Sequence, residues 1–204
     1  MTGEIHLEPV VLEGHHVRLE PLTLDHVDAL LEVALDPELW RWTSERAGSA
    51  EELRAYVERA LAAQRSGSAL PFATIALSIG KPVGSTRFAN VDLSNGRLEI
   101  GWTWLGRDWQ RTAANTEAKY LMMKHAFETL GVRRVEFKTD ALNERSRAAI
   151  QRIGAREEGI LRKHLVTASG RVRDTVYYSV IDDEWPTVRV RLEERLAVAP
   201  RTTA

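Results

Sequence analysis

Residues 107–131 read RDWQRTAANTEAKYLMMKHAFETLG, and the switch from polar junction to apolar period within them decides the fold. Ala114, Ala118, Leu121, Met122 and Ala126 fall on one helical stripe, which Met123, Phe127 and Leu130 widen. Residues 113–130 are therefore expected to form a helix of about five turns, closed by Gly131. RLEIGWTWL (97–105) before it and RRVEFKTD (133–140) after it are rich in β-branched and aromatic residues. The order strand, helix, strand implies that these two strands pair in parallel.

Working outward, FATIALSI (72–79), VGSTRFANVD (83–92) and RLEIGWTWL are joined by turns at Gly80-Lys81-Pro82 and Ser94-Asn95-Gly96, an antiparallel meander. Upstream, HVRLEPL (16–22) alternates as a half-buried strand. A helix carrying Val27, Leu30, Leu31 and Ala34 follows, capped by Thr23 or Asp25 and stopped at Asp36-Pro37. Ser49-Ala50-Glu51-Glu52 is a capping-box pattern ahead of Leu53, Val57, Ala60 and Leu61. Downstream, Asn143 can cap a short helix whose Ile150 and Ile153 point inward before Gly154. GILRKHLV and VRDTVYYSVI make a hairpin about Ala168-Ser169-Gly170, and Trp185, Val188, Leu192 and Leu196 mark a last helix over about 183–197, ahead of a polar tail. No repeat or low-complexity linker divides the chain. The reading is one α+β domain over residues 1–204 with a core of about 17–185, a mixed, mostly antiparallel sheet flanked by helices.

Composition narrows the function. The 204 residues are 44% hydrophobic, and 28 Lys and Arg face 29 Asp and Glu for a net charge of −1, so no general excess of positive charge is present to hold a nucleic-acid backbone. The absence of cysteine removes disulfides, thiolate zinc sites and a Cys nucleophile. No segment approaches the roughly 20 apolar residues of a membrane span, and MTGEIHLEPVVLEGHH does not resemble a secretory leader; a cytoplasmic protein with no membrane partner is expected. Walker-type, GxGxxG, HExxH and GxSxG motifs are missing. His6, His15, His16, His26, His125 and His164 are scattered, so no metal is expected.

The remaining candidate is the junction itself. Small side chains at Thr112, Ala113 and Ala114 let backbone N–H groups point outward at a helix N-terminus, where the macrodipole adds about half a positive charge, a cradle for a pyrophosphate. A plain capped strand-to-helix loop would use the same residues.

The junction, with TEAKYLMMKHAFETLGVRRVEFKTDALNERSRAAIQRIGA and GILRKHLVTASGRVRDTVYYSV after it, resembles the acetyl-CoA-binding half of the GNAT superfamily, in its branch of ribosomal-protein N-terminal acetyltransferases. The likeness covers about residues 17–185. It implies a GNAT fold and transfer of an acetyl group from acetyl-CoA to a primary amine, possibly a protein N-terminus, by direct attack in a ternary complex. A small-molecule amine acetyltransferase acting on an amino sugar or polyamine, or a non-catalytic acyl-CoA sensor, are the rival readings. Gln110, Ala113 and Asn115 stand at the marked positions of the family's pyrophosphate loop. Glycine is replaced at Ala113, and Asn115 stands where Gly or Ala is usual, so a positive φ there would be strained. The resemblance assigns CoA to the loop Gln110, Arg111, Thr112, Ala113, Ala114, Asn115 and Thr116, to the backbone of Thr103, Trp104 and Leu105, and to Asn143.

An amine of pKa about 8 to 10 must lose a proton before attack. Glu99, eleven positions before Gln110 as in histone-type members, is the candidate base; strict alternation would put Glu99, Gly101 and Thr103 on one face of the strand and Leu98, Ile100, Trp102 and Trp104 on the other. A Tyr protonates the leaving thiolate in many members; Ile150 fills its slot here, and Ser146 is the substitute. Trp40, Trp42 and Tyr177, with Tyr178, are expected along the acceptor cleft, and Arg162, Lys163 and His164 could attract an acidic acceptor. The apolar stripe of the last helix and the tryptophans point to a homodimer.

Overall fold

The computed structural model describes residues 7–198; His6 and the polar tail from residue 199 lie outside them. In chain order come β1 (Leu12–Glu13), β2 (Val17–Pro21), α1 (Val27–Ala34), α2 (Ala50–Arg65), β3 (Ala69–Ala76), β4 (Lys81–Asp92), β5 (Arg97–Leu105), α3 (Ala113–Lys124), β6 (Arg134–Asp140), α4 (Glu144–Arg152), β7 (Arg156–Val166), β8 (Val172–Ile181) and α5 (Trp185–Val198). The strands form one sheet in the order β1-β2-β3-β4-β5-β6-β8-β7. Every neighbouring pair is antiparallel except β5 with β6, the pair joined through α3. The long helix expected over 113–130 runs as α3 and then as a π-helical turn over His125–Thr129, where Phe127 stacks on Trp185 at 5.3 Å.

Each face of the sheet has its own apolar core. On one, Leu98, Ile100, Phe88, Phe137 and Val135 pack under Ala114, Ala118 and Met122 of α3 and Trp185, Val188 and Leu192 of α5. On the other, Ala73, Ile75 and Trp104 meet Leu30, Ala34, Trp40, Leu53, Tyr56 and Val57 of the α1–α2 side. The stripe of α5 read as a dimer face is thus buried within the chain, because those side chains close the core over α3.

The docking of α3 depends on one side chain. The buried Glu117 carboxylate accepts the backbone N–H groups of His15 at 2.8 Å, His16 at 2.6 Å and Val17 at 2.7 Å. This ties the helix to the turn that opens β2. Three donors converging on one ionised carboxylate are a strong arrangement.

Strict alternation fails along β5. Arg87 of β4 pairs with Gly101, but Ser85 pairs with Trp104, so β5 carries one extra residue, and Trp102 there takes a φ of 48°. A bulge of this kind reverses which face later residues occupy. Glu99 and Thr103 consequently lie on opposite faces. Thr103 turns toward α3, while Trp104 joins the α1–α2 core and Ile100 the α3 core.

Candidate active site

β5 and β6 pair only from Arg97 to Glu99. Beyond Glu99 the two strands part, leaving the β6-facing edge of β5 without a ladder partner. A cavity of about 1080 Å³ opens in this gap, at the upper end of small-molecule sites. It is lined from the α3 side by the 110–119 segment and α4, and from the other side by Glu38, Leu39, Trp42 and Thr43 between α1 and α2.

The loop before α3 is built as a cradle. Thr112 is the N-cap: its Oγ1 accepts the Ala114 N–H at 3.2 Å and donates to the Trp109 carbonyl at 2.8 Å. A helix leaves its first N–H groups without intrahelical partners; with that of Ala114 spent on Thr112, those of Ala113 and Asn115 remain for a ligand. The left-handed residue is Arg111, with a φ of 64°, whereas Ala113 and Asn115 belong to the helix. The strain expected at those two positions does not arise, because the chain makes its sharp turn one residue before the cap.

Gln110 bridges the site, donating from Nε2 to the Leu105 carbonyl at 2.9 Å and accepting from Arg145 Nη1 at 2.7 Å. Asn143 caps α4 by accepting the Ser146 N–H at 3.1 Å, and both residues line the cavity. The cavity therefore brings together Thr103, Trp104, Leu105, Gln110, Arg111, Thr112, Ala113, Asn115, Thr116, Asn143, Ser146 and Trp42. Ala114 is turned into the core, 2% exposed. The buried Asn115 Oδ1 has no hydrogen-bond partner among the described residues, although the side chain borders the cavity. A ligand with polar groups along its length fits such a wall.

Glu99 lies just behind that wall, 5% exposed. Its Oε2 accepts from Asn90 Nδ2 at 2.6 Å and pairs with Lys138 Nζ at 2.7 Å. Its Oε1 reaches over Gly101, where an added Cβ would stand 2.8 Å from it, and Gly101 does border the cavity. Burial works against the charge of Lys138, but the Glu99 carboxylate outweighs it and holds the ammonium above the ordinary lysine range. Lys138 also sits 4.7 Å over the Tyr177 ring, which His164 meets edge-on at 5.8 Å.

The expected acceptor residues divide. Trp42 borders the cavity, with Arg41 and Arg171 over its ring. Trp40 does not: its Nε1 donates to the Ala34 carbonyl at 2.8 Å and its rings pack against Tyr56 and Trp104, each at 5.4 Å, so it is core. Tyr177 stands off the cavity behind Lys138. Tyr178 is fully buried in the α3-side core, its hydroxyl accepting from Arg147 Nε at 3.1 Å and donating to Glu157. Arg162 and Lys163 are exposed on β7. Sequence reasoning missed Lys138, Arg145 and Lys119. Lys119 is a buried lysine of α3 bordering the cavity, and it carries no motif signal because it stands among good helix formers.

Residues 16–156 match the family described as acetyltransferase (GNAT) domain. The chain belongs to the GNAT acetyltransferases. A solved GCN5-related N-acetyltransferase from Brucella melitensis is 36% identical over 94% of this acetyltransferase and 87% of that chain, with a TM-score of 0.87. A Bacillus subtilis protein provisionally named ribosomal N-acetyltransferase YdaF is 36% identical over 106 residues; the match spans 52% of this chain and 57% of the relative's length. Mycobacterium smegmatis RimJ in complex with CoA-disulfide shares the fold, with 23% identity, a TM-score of 0.80 and coverage of 92% of this chain and 95% of that one. The GNAT domain uses acetyl-CoA. Among the described residues, no helix of this acetyltransferase is long and apolar enough to cross a membrane.

Proposed function

We propose that this acetyltransferase moves the acetyl group of acetyl-CoA to a primary amine on a protein N-terminus, by direct attack in a ternary complex. The observation that carries the reading is the cavity at the parting of β5 and β6, lined from both faces of the sheet. One side offers the anion cradle before α3 and the other the Trp42 segment, so donor and acceptor can be held together without a covalent enzyme intermediate. The chain contains no cysteine to form one.

In this reading the Ala113 and Asn115 amides hold the pyrophosphate with the help of the helix dipole. The unpaired edge of β5 from Thr103 to Leu105 binds the pantetheine arm, and Asn143 lies beside it. Glu99 takes the amine proton through a water over Gly101, since its Oε1 faces that residue while Oε2 is occupied by Asn90 and Lys138. The Ser146 hydroxyl, at the start of α4, donates to the leaving sulfur. Trp42 and the segment around it receive the acceptor chain. A homodimer would pair elsewhere than through Trp185, Val188 and Leu192 of α5, which the chain's own core covers.

Thiol release from acetyl-CoA with a panel of ribosomal-protein N-terminal peptides, polyamines and amino sugars tests the reading. Release with peptides at least tenfold faster than with small amines is expected. A preference for the small amines would move the acceptor class, and no release with any acceptor, despite CoA binding, would leave an acyl-CoA sensor.

A further inference from the structure

The interior of the cavity contains a charge that acetyl transfer does not use. Lys119 is 5% exposed and borders the cavity, about 9 Å along α3 from Ala113. Its Nζ bonds Thr103 Oγ1 at 2.5 Å and Thr86 Oγ1 at 3.0 Å, and both partners are neutral hydroxyls. An ammonium has three N–H donors, so one is left over. Burial draws its pKa down to about 7, and among the described residues no carboxylate offsets it. Elsewhere α3 gives this core Ala118, Met122 and Met123, side chains that would suit an acetyl methyl. A lysine in such a place is costly unless an anion meets it.

The bulge at Trp102 makes the encounter possible. It turns Thr103 toward α3, so the strand edge proposed to hold the pantetheine arm ends on the very hydroxyl that grips Lys119. An acyl group carried past Leu105 and Trp104 reaches the Thr103 end, where Ile100 and Phe137 supply apolar walls.

We infer that this pocket takes a short acyl chain ending in a carboxylate, of the succinyl class, and that Lys119 is the residue that receives the carboxylate. The inference rests on the CoA placement above. Acetyl transfer and transfer of the longer chain then share one site, the acyl carbonyl and sulfur keeping their places while the chain end extends to Nζ. The bond balance is that of any acyl transfer: the thioester C–S bond breaks, the amide C–N bond forms, and the amine proton leaves with the base.

Titration calorimetry of the whole chain with CoA, butyryl-CoA and succinyl-CoA tests this, butyryl being the uncharged chain of equal length. The wild type should bind succinyl-CoA at least tenfold more tightly than butyryl-CoA. Lys119→Met should remove that ratio while leaving CoA itself within threefold. A second measurement needs no variant: in buffers of different ionisation enthalpy at pH 8, succinyl-CoA should take up more protons than butyryl-CoA, because a bound carboxylate holds Lys119 protonated. Equal affinities, equal proton uptake, or an acylated Lys119 by mass spectrometry would each overturn the assignment, the last by making the lysine a nucleophile. Failure of CoA itself to bind would overturn the donor-site reading as well, whereas CoA binding without the charge preference sinks this inference alone.

Discussion

Glu117→Gln is the sharpest test of how α3 is held. Oε2 accepts the His16 and Val17 N–H groups at 2.6 and 2.7 Å, and Oε1 accepts that of His15 at 2.8 Å. In glutamine the amide oxygen can keep the first two, but the NH₂ then faces the His15 donor and leaves it unpaired, a cost of about 1–3 kcal/mol. The two retained bonds lose their charge assistance, about 0.5–1 kcal/mol each. The sum is about 3 kcal/mol, a large part of the roughly 5–15 kcal/mol that stabilises a domain. Urea unfolding followed by circular dichroism should show the midpoint lowered by about 1 M for a slope near 3 kcal/mol/M. Glu117→Ala should cost more, since it strands all three donors and empties buried volume. CoA affinity of the folded variant should stay within threefold, because the loop is tied separately through Gln110 to Leu105. A loss under 1 kcal/mol for the glutamine variant would refute the argument that the carboxylate charge organises the turn before β2.

Ala113→Asp should weaken CoA binding by at least tenfold in calorimetry, about 1.4 kcal/mol, without loss of stability, since an acidic residue in a first helical turn favours the helix but repels a pyrophosphate; unchanged affinity would reject the cradle. Glu99→Gln should lower turnover by about 10² to 10⁴ at neutral pH, with the loss shrinking toward the pKa of the acceptor, and a parallel pH–rate profile with less than a threefold loss would leave Glu99 as a structural partner of Lys138. Lys119 has a pKa of about 7 folded against 10.5 in its ordinary state, so between these values the unfolded chain binds the extra proton and stability rises with pH. Relative to Lys119→Met, the ligand-free wild type should therefore gain stability from pH 7 toward pH 10 and run parallel below pH 7; parallel behaviour throughout would mean that the lysine is not desolvated.

What the sequence reveals and what it hides have physical reasons. The stripe of α3, the meander and the Asn143 cap are readable because each rests on a local period or a local hydrogen bond. Glu117 sits inside a helical pattern as any solvent-facing glutamate would, and its partners lie about a hundred positions away at His15, His16 and Val17. Trp40 and Trp42 look alike in sequence. Only the closure of α1 and α2 over Trp104 sends one into the core and leaves the other at the cavity.

The most consequential feature had no signal at all. Glycine commonly marks the positive-φ residue of a bulge, but here the residue with positive φ is Trp102. One unmarked residue reverses the parity of β5, leaving Glu99 over the α1–α2 side and turning Thr103 to Lys119 on the α3 side. In the proposed mechanism this sets Thr103, the hydroxyl that holds Lys119, on the face opposite Glu99, where strict alternation would have put both on one face. The carboxylate that takes the proton works from the acceptor's side of the sheet, and the ammonium works from the side where the acyl chain ends. Without the bulge Thr103 would face the α1–α2 side with Glu99, and Lys119 would lose the shorter of its two hydroxyl contacts, leaving only Thr86 to hold it.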